Sequence, residues 1–440
     1  MVTAPAIDTI VAPATPIGRS ALAIVRIDGP RSAEILSRLA SNSPEPRVAT
    51  LVHLRLDSQL VDQCIVTRYE APHSFTGNDL VELTLHGSAV VVERVIRAAV
   101  DLGARLAEPG EFTERAVLNG KLDLVQAESI ADLINSRTTL QANLSLANLE
   151  GSLSRKAAAI REALLHVISR LEAALDFSEE GYEFIQRAEA RSAIESAIRD
   201  ADGLLETYRR GRATREGLSA VILGRPNAGK STLLNRLVGT DRAIVTPIPG
   251  TTRDIVRETI EIGGLPVTVA DTAGLRDSAD VVESIGVERA RRAAEASDVI
   301  LYLIDAAAGM TDEDRRELQR WPEAWVLYSK IDLASAPAGT LGISVVSEHG
   351  IDQLLARLDE IVRERFVAPE GSLVNERQRQ AVAECVDALR ASVTSIDAGH
   401  DEQIILVDLY RAATALGLLT GVITREEIFD EIFSKFCIGK

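Results

Sequence analysis

Cysteine, lysine and aromatic residues are all scarce in this 440-residue chain. The three cysteines, Cys64, Cys385 and Cys437, are too few and too far apart for a disulfide framework or a zinc site. The N-terminus lacks a basic segment, and Asp8 interrupts its apolar stretch, which argues against a secretory signal. No uncharged apolar run is long enough to cross a membrane. These absences predict a cytoplasmic protein with no membrane partner.

Positive charge is also in short supply, since the net charge is -17. Such a balance argues against a protein that coats nucleic acid nonspecifically, although it allows a local basic patch. The segment YRRGRATREG, residues 208–217, has two interpretations. It is either such a patch or a solvated linker, and its two glycines favour the linker.

Lysine supplies only six of the 48 basic residues, and arginine supplies the rest. A guanidinium therefore serves wherever this chain needs an unspecific positive charge. The lysines become candidates for places that require a compact ammonium group. They are Lys121, Lys156, Lys230, Lys330, Lys435 and Lys440.

Four segments of different pattern predict the domain organisation. Residues 1–121 mix short alternating runs such as SALAIVRIDG with turns, which is typical of an α+β domain. Residues 122–216 are helical, with one apolar stripe from Leu153 to Leu171 at steps of three and four. Residues 217–366 alternate β-branched runs with helical patterns, which predicts an α/β domain with a parallel sheet. Residues 367–440 are helical again.

A nucleotide site is predicted where the strand pattern LSAVILG runs into GRPNAGKST. The residues from Gly224 to Ser231 match G-x-x-x-x-G-K-[ST], and a helical pattern follows. In such a loop the backbone N–H groups and the helix N-terminus bind phosphates. Lys230 is expected to reach the β- and γ-phosphates, and Ser231 to bind Mg²⁺.

Two later strand ends indicate which nucleotide is bound. VTVADTAG places Asp271 to hold the metal through water and Gly274 to sense the γ-phosphate. VLYSKID resembles the guanine-reading Asn-Lys-x-Asp of GTPases, with Asp332 able to accept from the N1 and 2-amino groups of guanine. Ser344, in GISVVSEHG, is the expected residue of a weaker base-contacting loop. GTP is therefore the predicted ligand.

Two positions depart from the usual GTPase pattern. Ser329 stands where Asn is usual, and a hydroxyl is too short to make the same bridge between the base and the phosphate loop. We expect weaker guanine binding with specificity retained. Leu275 follows the D-x-x-G glycine, where Ras-like proteins place the water-orienting Gln, so hydrolysis must use other groups. TPIPGTTRD supplies a switch loop whose Thr252 is expected to bind Mg²⁺.

Taken together, these motifs resemble one family. GRPNAGKSTLLN, PGTTRD and DTAGLRDS are similar to the G domain of the MnmE (TrmE) tRNA-modification GTPases. SFTGNDLVELTLHG, GEFTERAVLNGKLDLVQAESIADLI and the final CIGK are similar to that family's other domains. The resemblance implies a multidomain α/β and α fold. An N-terminal α+β folate-binding and dimerisation domain precedes a discontinuous helical domain, into which a Ras-like P-loop G domain is inserted.

The resemblance also implies how GTP is hydrolysed. G domains of a homodimer come together around K⁺, which replaces an arginine finger, and Glu283 orients the water through an intermediary. The expected K⁺ ligands are Asn227, Thr246, Ile248 and Thr251. The residues expected to bind GTP are Asn227, Ala228, Gly229, Lys230, Ser231, Thr232, Thr246, Pro247, Ile248, Pro249, Gly250, Thr251, Thr252, Asp271, Thr272, Ala273, Gly274, Lys330, Asp332 and Ser344.

For the N-terminal domain the resemblance implies binding of 5-formyl- or 5,10-methylene-tetrahydrofolate by Arg26, Glu82 and Lys121. The C-terminal Cys437 is implied to lie near a folate site, as a thiolate nucleophile or as a group that positions substrate. Its tail is a poor prenylation signal, because Gly439 and Lys440 do not fit that motif.

The implied function is modification of the wobble uridine of certain tRNAs at C5, with an FAD-dependent partner of the MnmG (GidA) family. An aminomethyl-type group would take its carbon from tetrahydrofolate. The alternative is a ribosome-assembly GTPase that binds rRNA as a switch. The folate-like segment, the CIGK end and the lack of a basic RNA-binding module favour tRNA modification.

Overall fold

The structure is a computed structural model. It describes residues 8–42, 44–176, 184–239, 242–244, 257–271, 291–422, 429, 432–434 and 436–439, without the side chains of residues 257 and 271. The chain forms two compact units. The first comprises Met1–Ala131 with Tyr410–Lys440, and the second comprises Asp132–Leu409. The domain boundaries drawn from the sequence at residues 121, 216 and 366 remain predictions.

The first unit is built on a six-stranded sheet of order β3-β4-β5-β2-β1-β6. Neighbouring strands are antiparallel except β1 and β6, which are parallel. Its strands are β1 (Ile10–Pro13), β2 (Leu22–Asp28), β3 (Thr50–Leu56), β4 (Gln59–Tyr69), β5 (Leu80–His86) and β6 (Arg105–Leu106). Its helices include α1 (Ser32–Leu39), α2 (Ala89–Asp101) and α3 (Glu111–Leu118).

One face of this sheet packs against α1 and α2, and part of the other face carries a second buried apolar cluster, to which Phe112 of α3 belongs. Along β2, Ala23, Val25 and Ile27 point into a core that also contains buried residues of α1 and α2. Arg26 lies on the opposite face, because successive side chains of a strand alternate. The α+β class of this segment is confirmed, although β1, β3 and β6 were not recognised in the sequence.

Helix α4 (Leu124–Asn135) follows the sheet region, and the C-terminal segment packs against its first turns. Leu124 and Ala127 form an apolar cluster with residues from the end of the chain. Those C-terminal residues are Phe429, Ile432, Phe433 and Phe436. This burial of four large side chains fixes the end of the chain within the first unit.

The second unit combines long helices with a second sheet. Its helical part contains α5 (Thr139–Leu149), α6 (Ser152–Asp176), α7 (Arg187–Glu216) and α11 (Glu376–Asp397). The predicted apolar stripe of α6 is confirmed, since its members from Leu153 to Leu171 are buried. Helix α12 (Glu402–Thr420) starts in this unit and ends in the first.

The second sheet has the order β12-β11-β10-β7-β9-β8. Its strands are β7 (Leu218–Gly224), β8 (Arg257–Ile262), β9 (Leu265–Asp271), β10 (Val299–Asp305), β11 (Trp325–Ser329) and β12 (Leu341–Gly342). Its helices include α8 (Lys230–Val238), α9 (Asp312–Arg320) and α10 (Ile351–Phe366). The predicted parallel sheet is confirmed except at its edge, where β8 pairs antiparallel with β9.

The linker predicted at residues 208–217 is wrong, because α7 continues through Glu216. Gly211 lies inside this helix, where it allows the returning chain to approach closely. A Cβ added at Gly211 would lie only 1.9 Å from the carbonyl oxygen of Leu373. The side chain of Thr207 accepts from the N–H of Leu373 at 3.1 Å, and Lys156 Nζ donates to the carbonyl of Glu370 at 2.7 Å. Glycine here serves packing rather than flexibility.

Candidate nucleotide and one-carbon sites

The phosphate loop connects β7 to α8 and has the backbone that its glycines predict. Gly224 and Gly229 have φ angles of 137° and 92°, and Asn227 is left-handed at 61°. A Cβ on Gly224 would lie 2.3 Å from the carbonyl oxygen of Leu303 in β10, so a larger residue does not fit there. In the first turn of a helix the N–H groups have no carbonyl partner within the helix, so those of α8 can bind an anion at this loop.

Lys230 occupies this loop as predicted. Its side chain is largely buried, and its Nζ donates to the carbonyl oxygens of Gly224 and Arg225, both at 2.8 Å. Ser231 and Thr232 follow it in the first turn of α8. The predicted phosphate-binding residues from Asn227 to Thr232 thus follow one another through the loop and into the helix.

The residues predicted to read the base follow the ends of β11 and β12. Ser344, which is 1% exposed, donates through Oγ to Asp332 Oδ1 at 2.6 Å, and its Oγ accepts from the N–H of Ser347 at 3.2 Å. Ser344 therefore orients the carboxylate of Asp332. Lys330 Nζ donates to Asp305 Oδ2 at 2.7 Å, and this bond holds the pKa of the Asp305 carboxyl below its usual value.

The weaker guanine binding expected from Ser329 remains a prediction, but the structure shows what this side chain contacts. Its Oγ donates to the carbonyl oxygen of Ala228 in the phosphate loop at 2.6 Å. The contact with the loop is therefore present, because the end of β11 comes close enough for a short side chain.

The two switch segments lie outside the described residues. The predicted site residues that fall there are Thr246, Pro247, Ile248, Pro249, Gly250, Thr251, Thr252, Thr272, Ala273, Gly274 and Glu283. Asp271 ends β9, and only its backbone is described. Their assignments remain predictions.

Two of the three predicted folate residues form a pair on the face of the first sheet that lies opposite α1 and α2. Arg26 in β2 lies opposite Glu82 in β5. The Nε of Arg26 donates to Glu82 Oε1 at 2.9 Å, and Tyr69 donates to Glu82 Oε2 at 3.4 Å. The Arg26 guanidinium lies 5.4 Å from the ring centre of Phe75. The result is a charged pair with two aromatic rings beside it.

The third residue, Lys121, reaches the loop that carries Phe75. A Cβ added at Gly77 would lie 3.4 Å from Lys121 Cε, so the lysine stem passes directly over that loop. Asn119 holds the same loop by donating to the carbonyl of Thr76 at 2.7 Å. The loop therefore connects Lys121 with the Arg26 pair.

A buried carboxylate below this loop was not singled out in the sequence. Asp28 is fully buried and accepts from Thr76 Oγ1, from Asn78 at 3.1 Å and from Arg115 at 2.9 Å. Burial raises the pKa of Asp28, although all three donors favour its charged form. The motif SFTGND contains both loop donors, and it was the available signal.

The C-terminal tail lies along the same sheet. Ile438 forms an antiparallel bridge with Pro109, and a Cβ added at Gly439 would lie 2.0 Å from the carbonyl oxygen of Pro13. Pro13 follows Ala12, the strand partner of Arg26. Cys437 is a free, exposed cysteine in this tail. The position of the tail could not be predicted from the sequence, because it depends on the packing of the C-terminal phenylalanines against α4.

Among the described helices, α12 alone is long and apolar enough to cross a membrane, since its mean hydropathy over 18 residues is 1.3. Half of those 18 residues are buried inside the protein, as in a core helix. Within the described ranges, no group of three His, Cys, Asp or Glu side chains could hold a metal ion.

Comparison with known proteins places the chain in one family. The family model described as "MnmE helical domain" matches residues 124–437, and that described as "GTP-binding protein TrmE N-terminus" matches residues 9–121. Among solved structures, Era from Aquifex aeolicus bound to GDP and AlF4⁻ is 28% identical, with a TM-score of 0.27. That match covers 39% of this chain and 66% of the Era chain.

Curated relatives match almost the whole chain. A protein of Symbiobacterium thermophilum named tRNA modification GTPase MnmE is 40% identical, over 98% of this chain and 99% of its own. Proteins of the same name from Nitrosomonas europaea and an Azoarcus species are 40% and 41% identical over 98% of this chain. GTP is therefore the nucleotide, and its hydrolysis serves tRNA modification. The chain belongs to the MnmE (TrmE) family of tRNA modification GTPases.

Proposed function

We propose that this protein is a K⁺-dependent GTPase that acts with a flavoprotein of the MnmG (GidA) family on the wobble uridine, position 34, of certain tRNAs. The two proteins install an aminomethyl-type group at C5, with the carbon drawn from a tetrahydrofolate. The observation that carries the proposal is the presence, in one chain, of the phosphate loop and the Arg26–Glu82 pair. The protein acts in the cytoplasm as a homodimer.

The geometry of Asn227 supports the K⁺ dependence. This residue is exposed at the crest of the phosphate loop and has a left-handed backbone, which is uncommon outside glycine. Its side-chain carbonyl oxygen is a suitable ligand for a hard monovalent cation. Thr246, Ile248 and Thr251 would complete the K⁺ site, while Ser231 and Thr252 would hold Mg²⁺. Bound K⁺ would supply positive charge to the transition state, and Glu283 would orient the water.

We expect GTP turnover to be at least about tenfold faster in KCl than in NaCl at equal ionic strength. The stimulation should grow with protein concentration, because the cation acts between two G domains. Turnover is measured with purified protein over a concentration series. Asn227→Ala should abolish the difference between salts, whereas Asn235→Ala, an exposed asparagine on α8, should retain it.

Equal slow rates in both salts at every concentration would contradict cation-assisted dimerisation. The same result with Asn235→Ala as with Asn227→Ala would show that the loss is not specific to the loop. The first outcome would leave a GTPase of this family whose hydrolysis does not depend on K⁺, and the second would remove the support for Asn227 as a K⁺ ligand.

The Arg26 region supports the folate part of the proposal. The Nη1 atom of Arg26 is buried and has no hydrogen-bond partner among the described residues, so the guanidinium retains a free donor. Glu82 can accept from a pterin edge, and the rings of Tyr69 and Phe75 suit a flat heterocycle. Lys121 would receive the negatively charged glutamate tail.

We expect Arg26→Gln to weaken binding of 5-formyl-tetrahydrofolate at least about tenfold, because a charged donor is removed and Glu82 loses its partner. Calorimetric titration measures this affinity. Arg55→Gln is the matched control, since Arg55 is an exposed arginine of the same sheet that donates to the carbonyl of Ser58. An unchanged affinity in Arg26→Gln would remove this pair from the folate site.

GTP hydrolysis is proposed to drive opening and closing of the G domains, and this movement orders the joint active site. The exposed thiol of Cys437 stands in the tail that runs beside β1. It serves there as the nucleophile toward the pyrimidine ring or as a group that positions the substrate.

A further inference from the structure

The side chain of Ser329 forms its hydrogen bonds within the protein. Ser329 ends β11 and is 5% exposed. Its Oγ lies 2.6 Å from the carbonyl oxygen of Ala228 and 3.2 Å from that of Ile304. Both neighbours are main-chain carbonyls, which only accept hydrogen bonds.

A hydroxyl group carries a single proton to donate. Whichever carbonyl receives it, no proton of Ser329 remains for a nucleotide base. The amide of an asparagine carries two N–H donors and a separate acceptor, so it can serve the phosphate loop and a base at once. The substitution therefore preserves the contact with the loop and removes a donor from the base.

Asp332 is the other side chain expected to read the base, and hydrogen bonds hold its carboxylate in place. Asp332 accepts from Ser344 through Oδ1, and Ser344 is itself fixed by the N–H of Ser347. A carboxylate has more than one lone pair on each oxygen, so Asp332 can still accept from a base. Its partners on guanine are the N1–H and 2-amino groups, on the edge away from N7.

We propose that this protein reads guanine only from its N1 and 2-amino edge, and that N7 of the base receives no donor from position 329. The purine N7 is an acceptor, and 7-deaza-GTP replaces it with a carbon that cannot accept. A protein that donates to N7 discriminates against this analogue. The present chain should accept it as readily as GTP.

The test is competition of GTP, 7-deaza-GTP and ITP against a fluorescent guanine nucleotide on the full-length protein. We expect the dissociation constants of GTP and 7-deaza-GTP to agree within about twofold, because no hydrogen bond is lost. ITP, which lacks the 2-amino group, should bind at least about threefold more weakly, since Asp332 loses a partner. A fivefold or larger preference of the unaltered protein for GTP over 7-deaza-GTP would overturn the proposal.

Ser329→Asn supplies the converse result. The new amide should create a preference of about three- to tenfold for GTP over 7-deaza-GTP, the size of one hydrogen bond. Ser329→Ala should weaken both nucleotides equally and leave their ratio near one, because it removes only the contact with Ala228. A variant Ser329→Ala that prefers GTP would contradict the assignment. The unaltered protein gives a decisive ratio even if a variant does not fold.

Discussion

Lys230→Ala is expected to lower GTP turnover at least about a hundredfold, the usual cost of removing one preorganised cation from a transition-state site. The ammonium group is largely buried within the phosphate loop, where Gly224 and Arg225 hold it through their carbonyls. No other described side chain is placed to take over this position. Turnover of purified protein under saturating GTP measures the effect.

Lys156→Ala is the matched control for this experiment. Lys156 also donates to two main-chain carbonyls, those of Glu370 and Gly371, but it lies on α6. Its removal should leave turnover within about twofold of the unaltered protein. If Lys230→Ala keeps more than a tenth of the activity, or if both variants lose it equally, the phosphate loop is not the site of hydrolysis.

Two glycine-to-alanine substitutions on α7 are expected to change stability in opposite directions. Gly211→Ala should lower the melting temperature of the second unit by about 5 °C or more, because its Cβ would meet the carbonyl oxygen of Leu373 at 1.9 Å. Gly203→Ala should raise it by about 1–3 °C, since nothing lies within 4 Å and alanine favours the helix. Thermal unfolding followed by circular dichroism at 222 nm measures both.

Comparing the two variants separates the effect of close packing from that of helix propensity, because both substitutions raise the helix propensity of α7 by the same amount. Equal stabilisation of the two variants would mean that residues 366–373 do not lie against α7 as the structure has them. Limited proteolysis in that segment provides a second measurement, and Gly211→Ala should increase cleavage there.

Much of the nucleotide site was predictable because its residues are contiguous. A loop such as GRPNAGKST closes on phosphate through its own backbone, so glycine spacing determines its geometry almost alone. The strands LSAVILG and VILYLID were equally readable, because buried parallel strands are continuous runs of β-branched residues. The antiparallel β8 was missed, since RETIEI contains only two apolar residues and lies at the sheet edge.

Other features depended on chain segments that are distant in sequence. Gly211 was interpreted as a linker residue because glycine occurs both in flexible segments and where a helix packs closely against another segment. Only the contact with Leu373 shows that the second case applies. The bond of Ser329 to Ala228 joins residues 101 positions apart. No local pattern encodes the distance between two such segments.

The sequence by itself determined the fold class, the nucleotide and the family, because these depend on local periodicity and on contiguous motifs. The tertiary structure decided which donors and acceptors are already used. Asp28 proved to be buried under the SFTGND loop, the C-terminal tail proved to lie beside β1, and the single proton of Ser329 proved to be committed to a carbonyl. Hydrogen-bond capacity is a property of neighbours in space, so chemistry at a site is settled only when the chain has folded.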